Sequence, residues 1–350
     1  MSIKCKGCRV RLQTTTALVI TLSTLLAACG SSASKSPSSQ GGNSAENSLV
    51  AQARAEGQVT LYCAMSSSQC GDVAKDFEGK YGITVNVLPT YTTGALETRF
   101  LTEAAAGSVQ DDVFMPGENG IFSTHSDLFL PVNTGNVEGL QAVPGKYKGK
   151  NYVVANIPPM VVVSAKSIPE TQAPQKWTDL VDPKWKGKIV LSDPRGVPAW
   201  LGWLYLMEQH FGPSFLQKLG QQNFTLVASG GTGAQQVAAG EKSLAFPAVY
   251  AHISGVEAAD RASLFGNPGA GFAINVAVAR KASHPAAARL LLSWIISRAG
   301  QEAINGHAYR GISVLDNIPG AVVPPPGFTL VDTEGAQQHR DELLKAIGSG

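Results

Sequence analysis

The 350-residue chain has no run of apolar residues long enough to cross a bilayer as a helix, which excludes an ordinary integral membrane protein. Charge is sparse, with only 15% Asp, Glu, Lys and Arg, and the formal net charge is +2. Lys and Arg are scattered, so neither a nucleic-acid stripe nor a basic amphipathic membrane helix is indicated. Enzyme signatures are absent: there is no G-x-S-x-G, no H-E-x-x-H, and no C-x-x-C after Cys8. Gly139 to Lys146 has one residue too many for a phosphate loop, and Tyr147 stands where such a loop needs Ser or Thr. No catalytic residue and no cofactor is expected, although a secreted hydrolase built on scattered Ser, Asp and His stays open as a minor alternative. Cysteine is scarce too, with five in the whole chain.

What is present begins at the N-terminus. Lys4, Lys6, Arg9 and Arg11 precede a short apolar stretch, Ala17 to Ala28. This is the layout of a signal peptide over 1–28. The run Leu26-Ala27-Ala28-Cys29-Gly30 resembles a bacterial lipobox, which implies cleavage before Cys29 and acylation of its thiol. Several acyl chains on one residue make a lasting anchor, where one chain binds only marginally. Residues 29–48 are rich in Ser, Gly, Asn and Gln and read as a flexible linker. The expected product is exported and tethered by lipid to the outer face of the cytoplasmic membrane.

Once Cys5 and Cys8 are removed and Cys29 carries lipid, Cys63 and Cys70 are left. In an exported chain such a pair is expected as a disulfide, stabilising by about 2.5 kcal/mol in the chain-entropy model. A metal site is the rival reading, and no His lies near the pair in sequence.

The remaining 300 or so residues are enough for two lobes, each with its own core. Strand-like runs alternate with helix-like ones: Val59 to Ala64, then a helix around Cys70 to Lys80, Ile83 to Leu88, then Ala95 to Ala106, and Asp112 to Met115. A second series follows Asn156-Ile157-Pro158-Pro159, with strands at Lys188 to Leu191, Thr225 to Ala228 and Leu244 to Val249, and helices at Pro198 to His210 and Ala234 to Ala239. Phe272 to Ala279 is a late strand, before helices at Ala286 to Ser297 and Gln301 to Ile304. This order predicts an α/β fold with mixed or parallel sheets. The first lobe is expected over 49–155 with 270–320, and the second over 156–269 with 321–350. Ligands of such sheets bind beyond the carboxyl ends of the strands. Ser66, Ser67, Thr92, Glu118, Arg195, Gly196, Thr232 and Tyr250 lie in those loops and are the candidate ligand-binding residues. Ser and Thr there also cap helices, Arg195 can equally form a surface ion pair, and Tyr62, Trp200 and Trp203 read as core.

An ordered set of motifs then resembles one family. Leu49-Val50-Ala51-Gln52-Ala53-Arg54-Ala55-Glu56-Gly57 before the first strand, Trp177-Thr178-Asp179-Leu180 with Trp185-Lys186-Gly187-Lys188-Ile189, Val237-Ala238-Ala239-Gly240-Glu241, Gly271 to Ala277, and Ser283-His284-Pro285 resemble extracellular solute-binding proteins of ABC importers, most closely the ferric-iron-type class. The resemblance implies a type 2 periplasmic-binding-protein fold of two lobes, a hinge and an interlobe cleft. It implies a small-molecule solute, an ABC permease and its ATPase as partners, no nucleic acid, and a monomer. Ferric-binding members place a His after the first strand, a Glu after the third and two adjacent Tyr in the second lobe. Here those places hold Ala64-Met65-Ser66, Gly117 with Glu118 beside it, and Tyr250-Ala251. The favoured solute is therefore an oxygen-rich anion, received by Arg195, Gly196 and Val197 at a helix start. Ferric iron with a synergistic anion, held by Tyr250, Glu118 and Tyr91, is the alternative.

Overall fold

The computed structural model describes residues 41–89, 93–256, 261–306 and 309–349. Cys29, Tyr91, Thr92 and His307 lie outside the described residues, as do the expected signal segment and most of the linker. The strands are β1 (Gln58–Cys63), β2 (Thr84–Pro89), β3 (Val113–Met115), β4 (Val153–Asn156), β5 (Met160–Ser164), β6 (Ile189–Ser192), β7 (Thr225–Val227), β8 (Leu244–Val249), β9 (Ala262–Leu264), β10 (Gly269–Gly271), β11 (Ile274–Val278) and β12 (Phe328–Leu330). The helices are α1 (Gly41–Glu56), α2 (Ser67–Tyr81), α3 (Thr93–Ala105), α4 (Gly120–Thr124), α5 (Pro198–Phe211), α6 (Pro213–Gly220), α7 (Gly230–Ala238), α8 (Tyr250–Ile253), α9 (Pro285–Ile295), α10 (Arg298–Asn305), α11 (Thr333–Gln338) and α12 (Arg340–Ala346).

Among the described residues, two five-stranded sheets share one plan. The first runs β2-β1-β3-β11-β4, the second β7-β6-β8-β5-β9. In each, three strands are parallel and a fourth turns antiparallel: β11 against β3 and β4, and β5 against β8 and β9. The α/β architecture with mixed sheets is the one expected. Both faces of each sheet are covered. Along β1, Val59, Leu61 and Cys63 enter one core and Tyr62 the other; along β5, Met160 and Val162 enter one and Val161 and Val163 the other. This is the period of two that alternating side chains dictate.

The chain crosses between the sheets at three places that touch one another. Residues 157–159 link β4 to β5, 272–273 link β10 to β11, and the passage after α10 returns to β12. Ile157 and Ile312 exchange backbone hydrogen bonds of 3.2 and 2.9 Å, and Pro158 O accepts from Phe272 N at 3.4 Å. At Gly271 a Cβ would stand 2.6 Å from the Phe328 ring and 2.9 Å from Pro158 O, so only glycine permits this approach.

Buried polar groups tie the first sheet to its helices. The Asp112 carboxylate accepts from Thr60 N at 2.8 Å and from both His284 N and Nδ1, at 3.0 and 2.8 Å. Glu56, at the end of α1, accepts from Ala286 N and Ala287 N at 3.1 and 2.7 Å, satisfying the open first turn of α9. Cys63 and Cys70 form a disulfide between the end of β1 and the first turns of α2, both fully buried. One boundary differs from expectation. Helix α1 starts at Gly41, inside the stretch read as linker, because Ala45 and Glu46 are good helix formers and lengthening an anchored helix adds a hydrogen bond per residue ordered.

Candidate functional site

In a strand-then-helix unit the helix begins where the strand ends, so parallel units in one sheet send their helix N-termini to one rim. Here β1 leads to α2, β2 to α3, β6 to α5 and β7 to α7. Among the described residues, the first turns of all four helices line a single cavity of about 1020 Å³. The two sheets face each other across it. Each N-terminus brings the positive end of a peptide dipole and backbone N–H groups without helical acceptors.

The caps differ. Ser66 Oγ accepts from Gln69 N at 3.2 Å at the start of α2, and Ser229 Oγ accepts from Thr232 N at 3.2 Å at the start of α7. Ser229 and Thr232 also pair through their hydroxyls at 3.0 Å. Helix α5 has Val197 at its cap and no side-chain acceptor, with Pro198 as its first residue. Among the three helices whose caps are described, its first turn is left open to an acceptor from the cavity.

Arg195 stands beside that turn. Its Nε and Nη2 hold the Asp193 carboxylate, the latter at 2.6 Å, and its backbone carbonyl accepts from Arg340 Nη2 at 3.1 Å. The hydrogen-bonded Arg195 guanidinium, with Arg340 adding its charge, keeps the Asp193 carboxyl below its ordinary range. Arg195 is paired with the Asp193 carboxylate, and Arg340, held on the Arg195 carbonyl, adds a second guanidinium to this wall. Both the ion pair and the cavity position foreseen for Arg195 occur together.

The facing wall is acidic. Glu118, in the loop after β3, and Glu97, in the second turn of α3, both line the cavity. Burial, then the charge of Glu97, pushes the Glu118 carboxyl up to about 7. Burial also raises Glu97, an effect that His125 opposes. Gly117, beside Glu118, donates its N–H to Thr93 Oγ1 at 2.8 Å, and a Cβ at 117 would stand 2.8 Å from that oxygen. A Glu at 117 therefore could not be seated without displacing Thr93. Beneath the two walls, Trp200 and Phe272 meet edge to face at 5.8 Å and supply an apolar floor.

Among the sequence candidates, Ser66, Glu118, Arg195, Gly196 and Thr232 line the cavity together. Two do not. Ser67 is exposed and turned out of it, since Ser66 and Ser68 are the serines at its edge. Tyr250 is buried in the core under the second sheet, with the Arg310 guanidinium 4.3 Å from its ring centre. Its neighbours Val249, Ala251 and His252 face the cavity instead. Burial raises the Tyr250 phenol, so a tyrosinate is disfavoured there. Trp200, expected purely as core, is buried and yet forms part of the floor. Sequence reasoning missed Glu97, Arg340 and Gln69. Glu97 follows Thr93 by four residues and so shares its helix face, a spacing that could have marked it. No local signal marks Arg340, which is 145 residues from Arg195.

Known proteins extend this picture. A 24% identical relative is an uncharacterized protein of Haemophilus influenzae, aligned over 71% of this chain and 76% of its own. Among solved structures, the substrate binding protein of an ABC transporter from Agrobacterium tumefaciens superposes with a TM-score of 0.71 at 14% identity, over 83% of this chain and 94% of that one. Iron-bound HitA from Pseudomonas aeruginosa gives 0.66 at 21%, over 83% and 99%. AfuA from Actinobacillus pleuropneumoniae, with fructose-6-phosphate bound, gives 0.63 at 19%, over 83% and 97%. These likenesses show the periplasmic-binding-protein fold. The match of residues 59–310 to the model for bacterial extracellular solute-binding proteins goes further, and by it this chain belongs to that family.

Proposed function

We propose that the protein captures a small, oxygen-rich anion in the cleft and delivers it to the permease and ATPase of an ABC importer. The observation that carries this reading is the open first turn of α5 beside Arg195 and Arg340, on a rim that three further helix N-termini share. Backbone amides, helix dipoles and guanidinium groups all favour an anion at the same place. The apolar floor suits a carbon skeleton attached to that anion. A solute touching both walls stabilises the closed arrangement by its differential affinity, and the three crossing segments are the hinge.

AfuA and HitA frame the choice of solute, one holding a sugar phosphate and the other iron. The donors here favour the first kind. Ferric iron calls for a set of anionic oxygen donors, and Tyr250 is buried away from the cleft with its phenol raised. Among the described residues no group of three or more His, Cys, Asp or Glu could hold a metal ion. Binding without turnover is the expected activity. The protein is read as a monomer, tethered through lipid on Cys29 to the outer face of the cytoplasmic membrane, and the residues Leu26 to Gly30 support the tether; among the described residues no helix is long and apolar enough to cross a membrane.

Calorimetry with phosphate and simple alkyl phosphates tests the anion site. Arg195→Ala is expected to weaken binding by about tenfold or more. Unchanged affinity would place the anion elsewhere. Tight Fe³⁺ binding with a tyrosinate charge-transfer band that Tyr250→Phe abolishes would restore the iron reading.

A further inference from the structure

Residues 309–312 follow α10 and lie where the two halves meet. Tyr309 is buried against the first half, where its hydroxyl donates to Asp72 Oδ2 on α2 at 2.6 Å. Gly311 is pinned to the same half. A Cβ at 311 would collide with the side-chain oxygens of Asn156, the last residue of β4, and Asn305, the last residue of α10. Ile312 then pairs with Ile157 on the crossing segment. Between these anchors Arg310 is exposed, with a φ of 43°. This is the left-handed region, which a side chain of that size occupies only where its surroundings impose it.

The Arg310 side chain reaches the second half. Its guanidinium stands 4.3 Å from the ring centre of Tyr250, which is buried among Val161, Val163 and Ala248 of the second sheet. Among the described residues Arg310 forms no ion pair with Asp or Glu. The negative face of an aromatic ring attracts a guanidinium at this distance. The backbone of Arg310 is thus carried by one half while its charge rests on the other. Neither Arg310 nor Tyr250 lines the cavity, but Tyr250 leads directly into Ala251 and His252, which do.

A rotation of the halves about the crossing segments changes the distance between Arg310 and Tyr250. We propose that Arg310 is an interlobe clasp, holding the two halves through Tyr250 at the angle at which they share one cavity. It is a positioning residue. It acts on the affinity for solute through the fraction of molecules that are ready to bind.

The test is the distribution of distances, in the unliganded protein, between spin labels on azide-bearing residues at the exposed positions 75, on α2, and 217, on α6. Arg310→Gln is expected to lower the population at the wild-type distance, relative to the rest, by about twofold to fivefold. Tyr250→Leu is expected to do the same, and the double variant no more than either. Tyr250→Phe keeps the ring and is expected to keep the wild-type distribution. Thermal melts identify any variant that has lost its fold. Arg310→Gln alters only an exposed side chain and carries the test if Tyr250→Leu does not fold. An unchanged distribution in folded Arg310→Gln overturns the clasp. So do shifts that add in the double variant, or a shift in Tyr250→Phe as large as in Tyr250→Leu.

Discussion

The two halves of the cleft are built on one plan and carry opposite charge. Each sheet has three parallel strands with a fourth reversed, and each sends two helix N-termini to the rim. The first half then adds Glu97 and Glu118, the second Arg195 and Arg340. The repeated backbone plan builds the cavity, and the side chains that line it give its two walls their different charge. The halves also respond to pH in opposite senses, which makes the comparison open to experiment.

The largest expected effect is in the second half. His252 is half-buried on the cleft wall, and burial of its ring lowers its imidazole from 6.5 to about 4. The fold prefers the neutral ring, so this stability is complete above pH 6.5 and is lost as pH falls toward 4. Over that window the loss is about 3 kcal/mol. Urea titrations of wild type and His252→Gln at pH 7.5 and pH 4 read it directly: the variant is expected to lose much less on acidification. Equal losses in the two proteins would remove His252 as the cause.

The disulfide comes next and belongs to the first half alone. Cys63→Ser/Cys70→Ser is expected to lower unfolding stability by about 2.5 kcal/mol. The same urea experiment checks it, and a difference under about 0.5 kcal/mol would show that burial of the two side chains, rather than the cross-link, matters. Glu118 gives an effect of comparable size with the sign opposite to His252. Its carboxyl is raised from 4.5 to about 7, so stability is complete below pH 4.5 and is lost as pH rises through 7. Glu118→Gln should therefore stabilise the unliganded protein at pH 8 and leave it nearly unchanged at pH 4. Stabilisation of equal size at both values would mean that packing, and not charge, is responsible. The smallest expected effect separates Ser66 from Ser67: Ser66→Ala removes the cap of α2 and costs about 1 kcal/mol, whereas Ser67→Ala is near neutral. Equal cost in both would break the assignment of the cap.

Much of this was readable from the chain. The strand β1 and the helix after it, the loop at Arg195, and the strand β8 stand out because turn residues flank runs of clear period. Strands β4 and β5 did not stand out. Val153 to Asn156 and Met160 to Ser164 are buried on both faces, so they show no alternation, and Pro158 and Pro159 between them read as a break. Tyr250 was misplaced for a related reason. Alternation does not carry past Val249, because Tyr250 opens the short helix α8, so Val249, Ala251 and His252 reach the cleft and Tyr250 turns into the core. The rim itself was legible because it follows from strand direction. Its charge was only half legible, since Arg340 arrives from the far end of the chain and Glu97 reads as an ordinary helix surface residue.

The central claim is that the cleft holds a small organic anion. Native mass spectrometry of the mature protein from its own host tests it most directly. The account predicts a noncovalent adduct of one small organic phosphate-type molecule that is lost in Arg195→Ala. An adduct of ferric iron retained in Arg195→Ala would contradict it.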